Sequence, residues 1–357
     1  MRILIVDDSA LVRSIVKHVL GTEKGFIVAG EASTGKQAVE MNRKLKPDFI
    51  IMDINMPVMD GLEATRRIMQ DKPVPILIFS GASDTDTSYK AIDTGAVDMM
   101  EKPNMDQFNE PAFYRSFLQK IRLLADKKVF SKPVVPALKS KPVEKESISQ
   151  APVIREKKIL SESESVEKKK TYKMLVIGAS TGGPSAVKEV LQNLPGTFPF
   201  GIALVQHIEK GFDQGYARWL NEATALNVRL AEKTEIIQAG EVLVAPSDKH
   251  LIIKGNRFML YDGPKVLNQK PSVDVLFESA ANSFGDKLIG VLLTGMGRDG
   301  ANGCLSIFSK GGFTLVQDKE TSAIFGMPKA AIDRGGASKV LPLREIPKYL
   351  VELVISH

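Results

Sequence analysis

Short, wholly apolar runs alternate along both ends of this chain with longer stretches whose apolar residues recur every three or four positions. Ile3–Val6 is a run of strand length, and Ala10–Leu20 sets Leu11, Val12, Ile15, Val16 and Val19 on one helical face. The alternation continues with strands expected at Phe26–Ala29, Phe49–Met52, Pro75–Phe79 and Met99–Met100. Helices are expected around Gly35–Lys46, Gly61–Gln70, Asp86–Thr94 and Glu110–Leu124. Strands apolar at every position suit a sheet covered on both faces, so residues 1–124 predict a five-stranded, doubly wound α/β domain.

The pattern lapses over residues 125–171, where Lys, Pro, Ser, Glu and Val dominate, as in KPVVPALKSKPVEKESISQAPV and SESESVEKKK. That composition predicts a mobile linker with polyproline character near its prolines, and no more than a transient helix at Ile154–Leu160. Alternation resumes over residues 172–357. Strands are expected at Met174–Ile177, Ile202–Val205, Val228–Ala231, Val242–Ala245, Leu251–Lys254, Arg257–Leu260, Leu288–Thr294 and Phe313–Val316. Helices are expected at Pro184–Leu194, Gly211–Ala223, Val273–Phe284, Gly300–Lys310 and Met327–Asp333. Glu241–Tyr261 reads as a β-hairpin excursion, turning at Lys254–Arg257, on a second doubly wound and mostly parallel sheet.

Length agrees with two domains, since 357 residues exceed one typical core. The net charge of +6 suggests a nucleic-acid partner only until it is located. Residues 126–171 hold twelve Lys/Arg against seven Asp/Glu, so the excess belongs to the linker and nucleic acid is not expected as a partner. The opening MRILIVDDS has no signal-peptide pattern and no apolar run reaches membrane-spanning length. The single cysteine, Cys304, lies in an apolar helical pattern, as a buried structural thiol would. A cytoplasmic monomer without membrane insertion is the expectation.

Chemistry gathers where strands end. Asp7 and Asp8 close the first strand of the N-terminal part, Asp53 the third, Ser80 the fourth and Lys102 the fifth. Three carboxylates at one sheet edge make a hard oxygen site suited to Mg²⁺, and the lysine and hydroxyl would contact a phosphoryl group on one of them. An isolated Asp-Asp pair is usually a solvated loop; five such residues at four strand ends are not. In the C-terminal part, MLVIGASTGGP (Met174–Pro184) puts Ser180 in a strand-to-helix turn, where a serine can act as nucleophile beside open helix-start amides. Such turns also bind phosphates or dinucleotides, but the spacing is not GxGxxG and no acidic residue ends the next strand.

A nucleophilic serine needs a base and an orienting acid. Of the histidines at 18, 207, 250 and 357, His207 follows the strand ending near Gln206 and so shares the edge with Ser180; His250 lies in the hairpin, where a loop role or substrate contact is expected. Asp299, in the turn GMGRDG, follows a strand, although aspartate there also suits a helix N-cap; Asp262, Asp274 and Asp318 are the other carboxylates in reach of this argument.

Two resemblances sharpen these readings. Residues 1–124 resemble the flavodoxin-like receiver domain of bacterial response regulators through VDDS (Val6–Ser9), DINMP (Asp53–Pro57), Asp60–Gly61, FSG (Phe79–Gly81) and EKP (Glu101–Pro103). The resemblance implies phosphorylation at Asp53, Mg²⁺ held by Asp8, Asp53 and the backbone carbonyl of Asn55 with Asp7 supporting through water, and Ser80 and Lys102 as a switch pair. The position three before Lys102, often aromatic in receivers, is Met99.

Residues 172–357 resemble the catalytic domain of the chemotaxis protein-glutamate methylesterase (CheB) family. The matching segments are IGASTGGP (Ile177–Pro184), VQH and GF (Val205–His207, Gly211–Phe212), APSDKHL (Ala245–Leu251), PSVDVLFESAA (Pro271–Ala281), GVLLTGMGRDGA (Gly290–Ala301) and FGMPKAA (Phe325–Ala331). This implies a triad of Ser180, His207 and Asp299, oxyanion donors at the backbone of Thr181 and Met296, and no cofactor for hydrolysis. It further implies methyl-accepting chemotaxis receptors as substrates, a chemotaxis histidine kinase as phosphodonor, and a receiver that covers the catalytic face until Asp53 is phosphorylated. Relatives often have proline soon after the histidine, where this chain has Ile208-Glu209-Lys210. A DNA-binding response regulator and a catalytically silent receptor adaptor are the alternatives; the large α/β second half and the triad candidates argue against each in turn.

Overall fold

The computed structural model describes residues 1–81, 85–104, 108, 110–125, 172–236 and 238–355. The N-terminal sheet is built from β1 (Arg2–Val6), β2 (Ile27–Ala32), β3 (Phe49–Met52), β4 (Ile76–Ser80) and β5 (Asp98–Glu101), all parallel, in the order β2-β1-β3-β4-β5. Helices α1 (Ala10–Gly21) and α5 (Pro111–Ala125) cover one face; α2 (Gly35–Leu45), α3 (Gly61–Asp71) and α4 (Thr85–Thr94) cover the other. Alternation along β1 serves both layers: Ile3 and Ile5 pack with Val16 and Phe117, while Leu4 and Val6 pack with Ala38 and Ile68. The expected end of β2 at Ala29 was too early. Gly30 breaks the apolar run because a Cβ there would meet Met41 Cε at 2.4 Å, so the glycine admits α2 instead of ending the strand.

The C-terminal part carries β6 (Met174–Ala179), β7 (Ile202–Gln206), β8 (Asn227–Leu230), β9 (Glu241–Val244), the hairpin β10 (His250–Lys254) and β11 (Arg257–Tyr261), then β12 (Leu288–Leu292), β13 (Phe313–Gln317) and β14 (Lys339–Leu341). Seven of these form a parallel sheet in the order β14-β13-β12-β6-β7-β9-β8. Helices α6 (Gly183–Leu191), α7 (Asp213–Ala223) and α11 (Ile346–Ile355) pack on one face; α8 (Val273–Phe284), α9 (Ala301–Ser309) and α10 (Met327–Asp333) pack on the other. The chain winds outward from β6 to β7 and later returns to lay β12 on the opposite side. That reversal opens a crevice at the carboxyl end of β6, the usual place for a site in such folds.

Two expectations need correction here. Glu241–Val244 belongs to the main sheet, paired in parallel with both β7 and β8; only β10 and β11 form the excursion, as a separate antiparallel pair. The strand expected to reach Thr294 stops at Leu292, because Leu293 makes its last ladder bond to Gly178 O and the Thr294 amide turns to Gln317 Oε1 (2.8 Å). Edge strand β14 and helix α11 were not anticipated. The first is three residues long, and Pro347 obscures the start of the second even though proline is well tolerated in a first turn.

The two sheets meet through α4. Tyr89 stacks on Trp219 (centroids 5.4 Å) and lies 5.3 Å from Tyr216, while Asp93 accepts from Trp219 Nε1 (3.0 Å) and Lys188 Nζ (2.5 Å). The expected linker at 125–171 and the transient helix at Ile154–Leu160 fall outside the described residues, apart from Ala125. No helix among the described residues is long and apolar enough to cross a membrane.

Candidate active site

At the carboxyl edge of the N-terminal sheet, Asp7, Asp8 and Asp53 bring carboxylate oxygens within 4.8 Å of one another, and Lys102 Nζ lies 2.8 Å from both Asp7 and Asp53. The loop after β3 is tight: Gly61 N donates to Ile54 O, and a Cβ on Gly61 would meet Asp53 O at 1.9 Å, which explains the Asp60–Gly61 pair. Asp53 is buried, and burial pushes its carboxyl up to about 6 against the opposing pull of Lys102, with the Asp7 charge adding to the rise. Ser80 is buried at the end of β4, its carbonyl accepting from Lys102 N, and Asn55 is exposed beside the cluster. Three hard carboxylates against one ammonium form a donor set that fits Mg²⁺.

In the C-terminal sheet, β12, β6 and β7 are neighbours, and the loops leaving them carry Asp299, Ser180 and His207. Ser180 N donates to Thr294 O and His207 N to Ala179 O, both at 3.0 Å. Gln206 Nε2 donates to the carbonyls of Ser180 (2.8 Å) and His207 (3.1 Å), fixing the two loops to each other. Gly183 is obligatory beside it, since a Cβ would meet Gln206 Oε1 at 2.1 Å. Thr294 adds a second tie, donating through Oγ1 to Thr181 O (2.9 Å) and accepting from Ile324 N (2.8 Å).

His207 Nε2 lies 2.8 Å from Asp299 Oδ2. Its Nδ1 is buried and has no partner among the described residues. The ring is thus turned opposite to the serine-protease arrangement, in which Nδ1 faces the carboxylate. Asp299 is almost fully buried yet saturated with donors: Ser272 Oγ and Asp274 N reach Oδ1 at 2.8 and 2.9 Å, and Val273 N reaches Oδ2 at 2.8 Å. Burial alone would raise its carboxyl, but His207 and the amides of Asp274 and Val273 outweigh that and hold it below the usual range. Asp299 is therefore not the cap of the helix that follows it, the expectation weighed above. Gly300 occupies that N-cap, and Asp299 instead receives the amino end of α8.

Ser180, Thr181, His207 and Met296 line one cavity of about 200 Å³. Its other wall is the N-terminal domain: Met99, Met100, Glu101 and Lys120. Glu101 N donates to Glu209 Oε2 (2.6 Å), so the segment after His207, where proline was absent, meets the end of β5 directly. Met99, standing at the usually aromatic position, is buried in this contact.

His250 is not a substrate contact. It is fully buried, its Nε2 bonded to Pro264 O (3.0 Å) and its Nδ1 accepting from Ser272 N (3.2 Å), which supports the turn that holds Asp299. Of the alternative acids, Asp274 is buried at the α9 amino end, Asp262 is exposed with Lys249 and Lys270, and Asp318 caps its own loop at Thr321. The roles of Ser272, Gln206 and Thr294 went unnoticed in the sequence, and Glu209 was noted only as part of the segment that replaces the usual proline. Only Ser272, before an apolar helical run, carried a local N-cap signal.

Comparison with known proteins identifies relatives of both halves of the chain. Residues 175–350 match the CheB methylesterase family and residues 3–110 the response regulator receiver domain. The chain is 40% identical over 353 residues (99% of this chain, 97% of the other) to a protein-glutamate methylesterase/protein-glutamine glutaminase of Anaeromyxobacter dehalogenans. It is 34% identical over 378 residues to the protein of that description from Pyrococcus horikoshii, covering 99% and 94% of the two chains. The crystal structure of the Thermotoga maritima CheB methylesterase catalytic domain is similar at 41% identity and a TM-score of 0.50, covering 52% of this chain and all of that one. A receiver domain implies Mg²⁺-dependent phosphorylation in general, and neither the DNA-binding nor the adaptor alternative is favoured. With receiver and methylesterase domains both matched and relatives aligned end to end, this chain belongs to the CheB family of receiver-regulated protein-glutamate methylesterases/protein-glutamine glutaminases.

Proposed function

We propose that the chain hydrolyses glutamate methyl esters on methyl-accepting chemoreceptors, with Ser180 as nucleophile, His207 as general base and acid, and Asp299 as its orienter. The observation that carries this is the His207–Asp299 pair, which leaves a buried, unpartnered Nδ1 on the wall of the cavity that Ser180 also lines. His207 Nδ1 takes the proton as Ser180 Oγ attacks the side-chain ester carbonyl, and the amides of Thr181 and Met296 receive the oxyanion. The ester C–O bond breaks, and Nδ1 returns the proton to the departing methoxide, releasing methanol. Water then attacks the acyl-enzyme by the same exchange and frees a glutamate carboxylate and Ser180. With a glutamine side chain the leaving group is ammonia, so deamidation needs no further residue.

The receiver gates this site. Asp53 is the phosphoacceptor, a chemotaxis histidine kinase the donor, and Asp7, Asp8, Asp53 and the Asn55 carbonyl would hold Mg²⁺. When bound, the ion would offset charge on the phosphoryl oxygens. Lys102 and Ser80 then exchange their present partners for the phosphoryl group. Because Lys102 directly follows Glu101, that exchange pulls on the strand end that contacts Glu209. The domains are read as residues 1–124 and 172–357 joined by 125–171.

Methanol release from methylated receptor membranes, with and without phosphodonor and Mg²⁺, tests the whole reading. Wild type should release methanol faster with phosphodonor, and Ser180→Ala should release none in either condition. Undiminished release by Ser180→Ala would remove the nucleophile assignment.

A further inference from the structure

The amino ends of α8 and α9 lie side by side, and each is capped by a carboxylate borrowed from the other. Asp299, two residues before α9 begins, accepts from Ser272 Oγ and the amides of Val273 and Asp274 at the start of α8. Asp274, on the first turn of α8, accepts from Gly303 N (2.8 Å) and Asn302 Nδ2 (3.3 Å) on the first turn of α9. Helix-start amides need acceptors, and Gly300, the N-cap of α9, has no side chain to offer one. Glycines set the closeness of the clasp: a Cβ on Gly303 would meet Phe277 at 2.4 Å, and one on Gly300 would meet Val273 at 2.8 Å.

We infer that Asp274 is a positioning residue for the reaction, holding the start of α9 so that the Asp299 carboxylate stays aimed at His207 Nε2. The inference rests on the triad reading above. Only Gly300 separates Asp299 from α9, and Gly297 and Gly300 on either side of it both sit at positive φ (87° and 91°). That turn has little side-chain packing of its own to fix its course, so the clasp supplies the constraint. Asp274 does so at a cost, for burial pushes its carboxyl up to about 6, with Asp299 and Glu278 adding to the rise. It touches neither the cavity nor His207, so its effect must pass through Asp299.

A double-mutant cycle on the full-length protein tests this, with steady-state methanol release and thermal unfolding as readouts. Asp274→Ala should lower kcat about 10- to 100-fold with KM changed less than about twofold, the loss expected when a catalytic group is displaced by a fraction of an ångström to an ångström. Asp274→Asn keeps an acceptor and should recover to within about threefold of wild type. In an Asp299→Ala background, Asp274→Ala should cost less than about twofold, because two residues acting as one unit do not add. An equal loss in both backgrounds, or an Asp274→Ala enzyme with wild-type kcat, would overturn the inference while leaving the triad standing. Wild-type activity in Asp299→Ala would instead remove the triad reading, and this inference with it. If Asp274→Ala does not fold, Asp274→Ser, whose hydroxyl is too short to span the gap, takes its place in the cycle.

Discussion

Asp53 and Asp299 hold matching places in the two halves of the molecule. Each follows a central strand at the carboxyl edge of a parallel sheet, and each is 3% exposed. Burial drives both carboxyls upward, yet Asp53 ends near 6 and Asp299 below its ordinary range. The difference lies in the donors. Asp53 accepts from Ile54 N and pairs with Lys102, beside two further carboxylates that repel it. Asp299 accepts two donors on each oxygen, and four are about what a carboxylate holds. A buried carboxylate short of positive charge is open to a cation; a saturated one has no lone pair to offer and can only orient its neighbour. In the proposed function the first is the input of the enzyme and the second an unchanging part of its output.

The contrast breaks most sharply at Asp299. Asp299→Asn places an amide among four donors, so one N–H must face another donor, and kcat for methanol release should fall by about 10⁴-fold. At the other pole, Asp53→Ala should erase the rise in rate with phosphodonor, a coupling expected to be about tenfold; any stimulation that persists would mean phosphorylation elsewhere. Smaller is the contact that joins the two. Glu209→Ala removes the acceptor of Glu101 N, and basal methanol release without phosphodonor should rise a few-fold, in keeping with one exposed hydrogen bond. An unchanged basal rate would assign the restraint to the α4 contacts of Tyr89 and Asp93 alone.

The smallest effect is on stability. Asp274 has a raised carboxyl in the folded state, about 6 against 3.8 unfolded, so between those values the folded protein binds the extra proton. Stability contributed by this group is therefore present at low pH and is lost as pH rises from about 4 to 6. Asp274→Asn, which cannot ionise, should escape that loss, so its unfolding free energy relative to wild type should climb by on the order of 2 kcal/mol between pH 4 and 7. Parallel curves would mean that Asp274 stays ionised through this range.

Much of this was legible in the sequence, because strands apolar on every residue and glycine-marked loops announce parallel α/β folding, and strand ends announce the edge where chemistry gathers. Ser180 and His207 stand one residue past such an end, as do Asp7, Asp53 and Lys102, and Asp299 follows in the loop seven residues beyond β12. What stayed hidden was pairing between distant segments. Nothing near Asp274 or Ser272 says that α8 will start against the turn holding Asp299, and nothing near Glu209 says that it will meet β5. The place of β9 in the main sheet was misread for the same reason: its partners are 40 residues upstream and in a neighbouring edge strand, whereas β10 is adjacent in sequence. Of the two roles expected for His250, substrate contact fails because Ser272 and Pro264, from other segments, enclose it.

The proposed triad follows three neighbouring strands, β12, β6 and β7, of a seven-stranded sheet. Neighbouring strands keep a spacing of about 4.8 Å, so the width of the site is set by a ruler that only two ladders define. Edge strands such as β14, where Val340 lies 42% exposed, do not enter that ruler. Substitutions at the flanks of the sheet are thereby insulated from the proposed chemistry, so the periphery can be remodelled without resetting the distance between the proposed nucleophile and base.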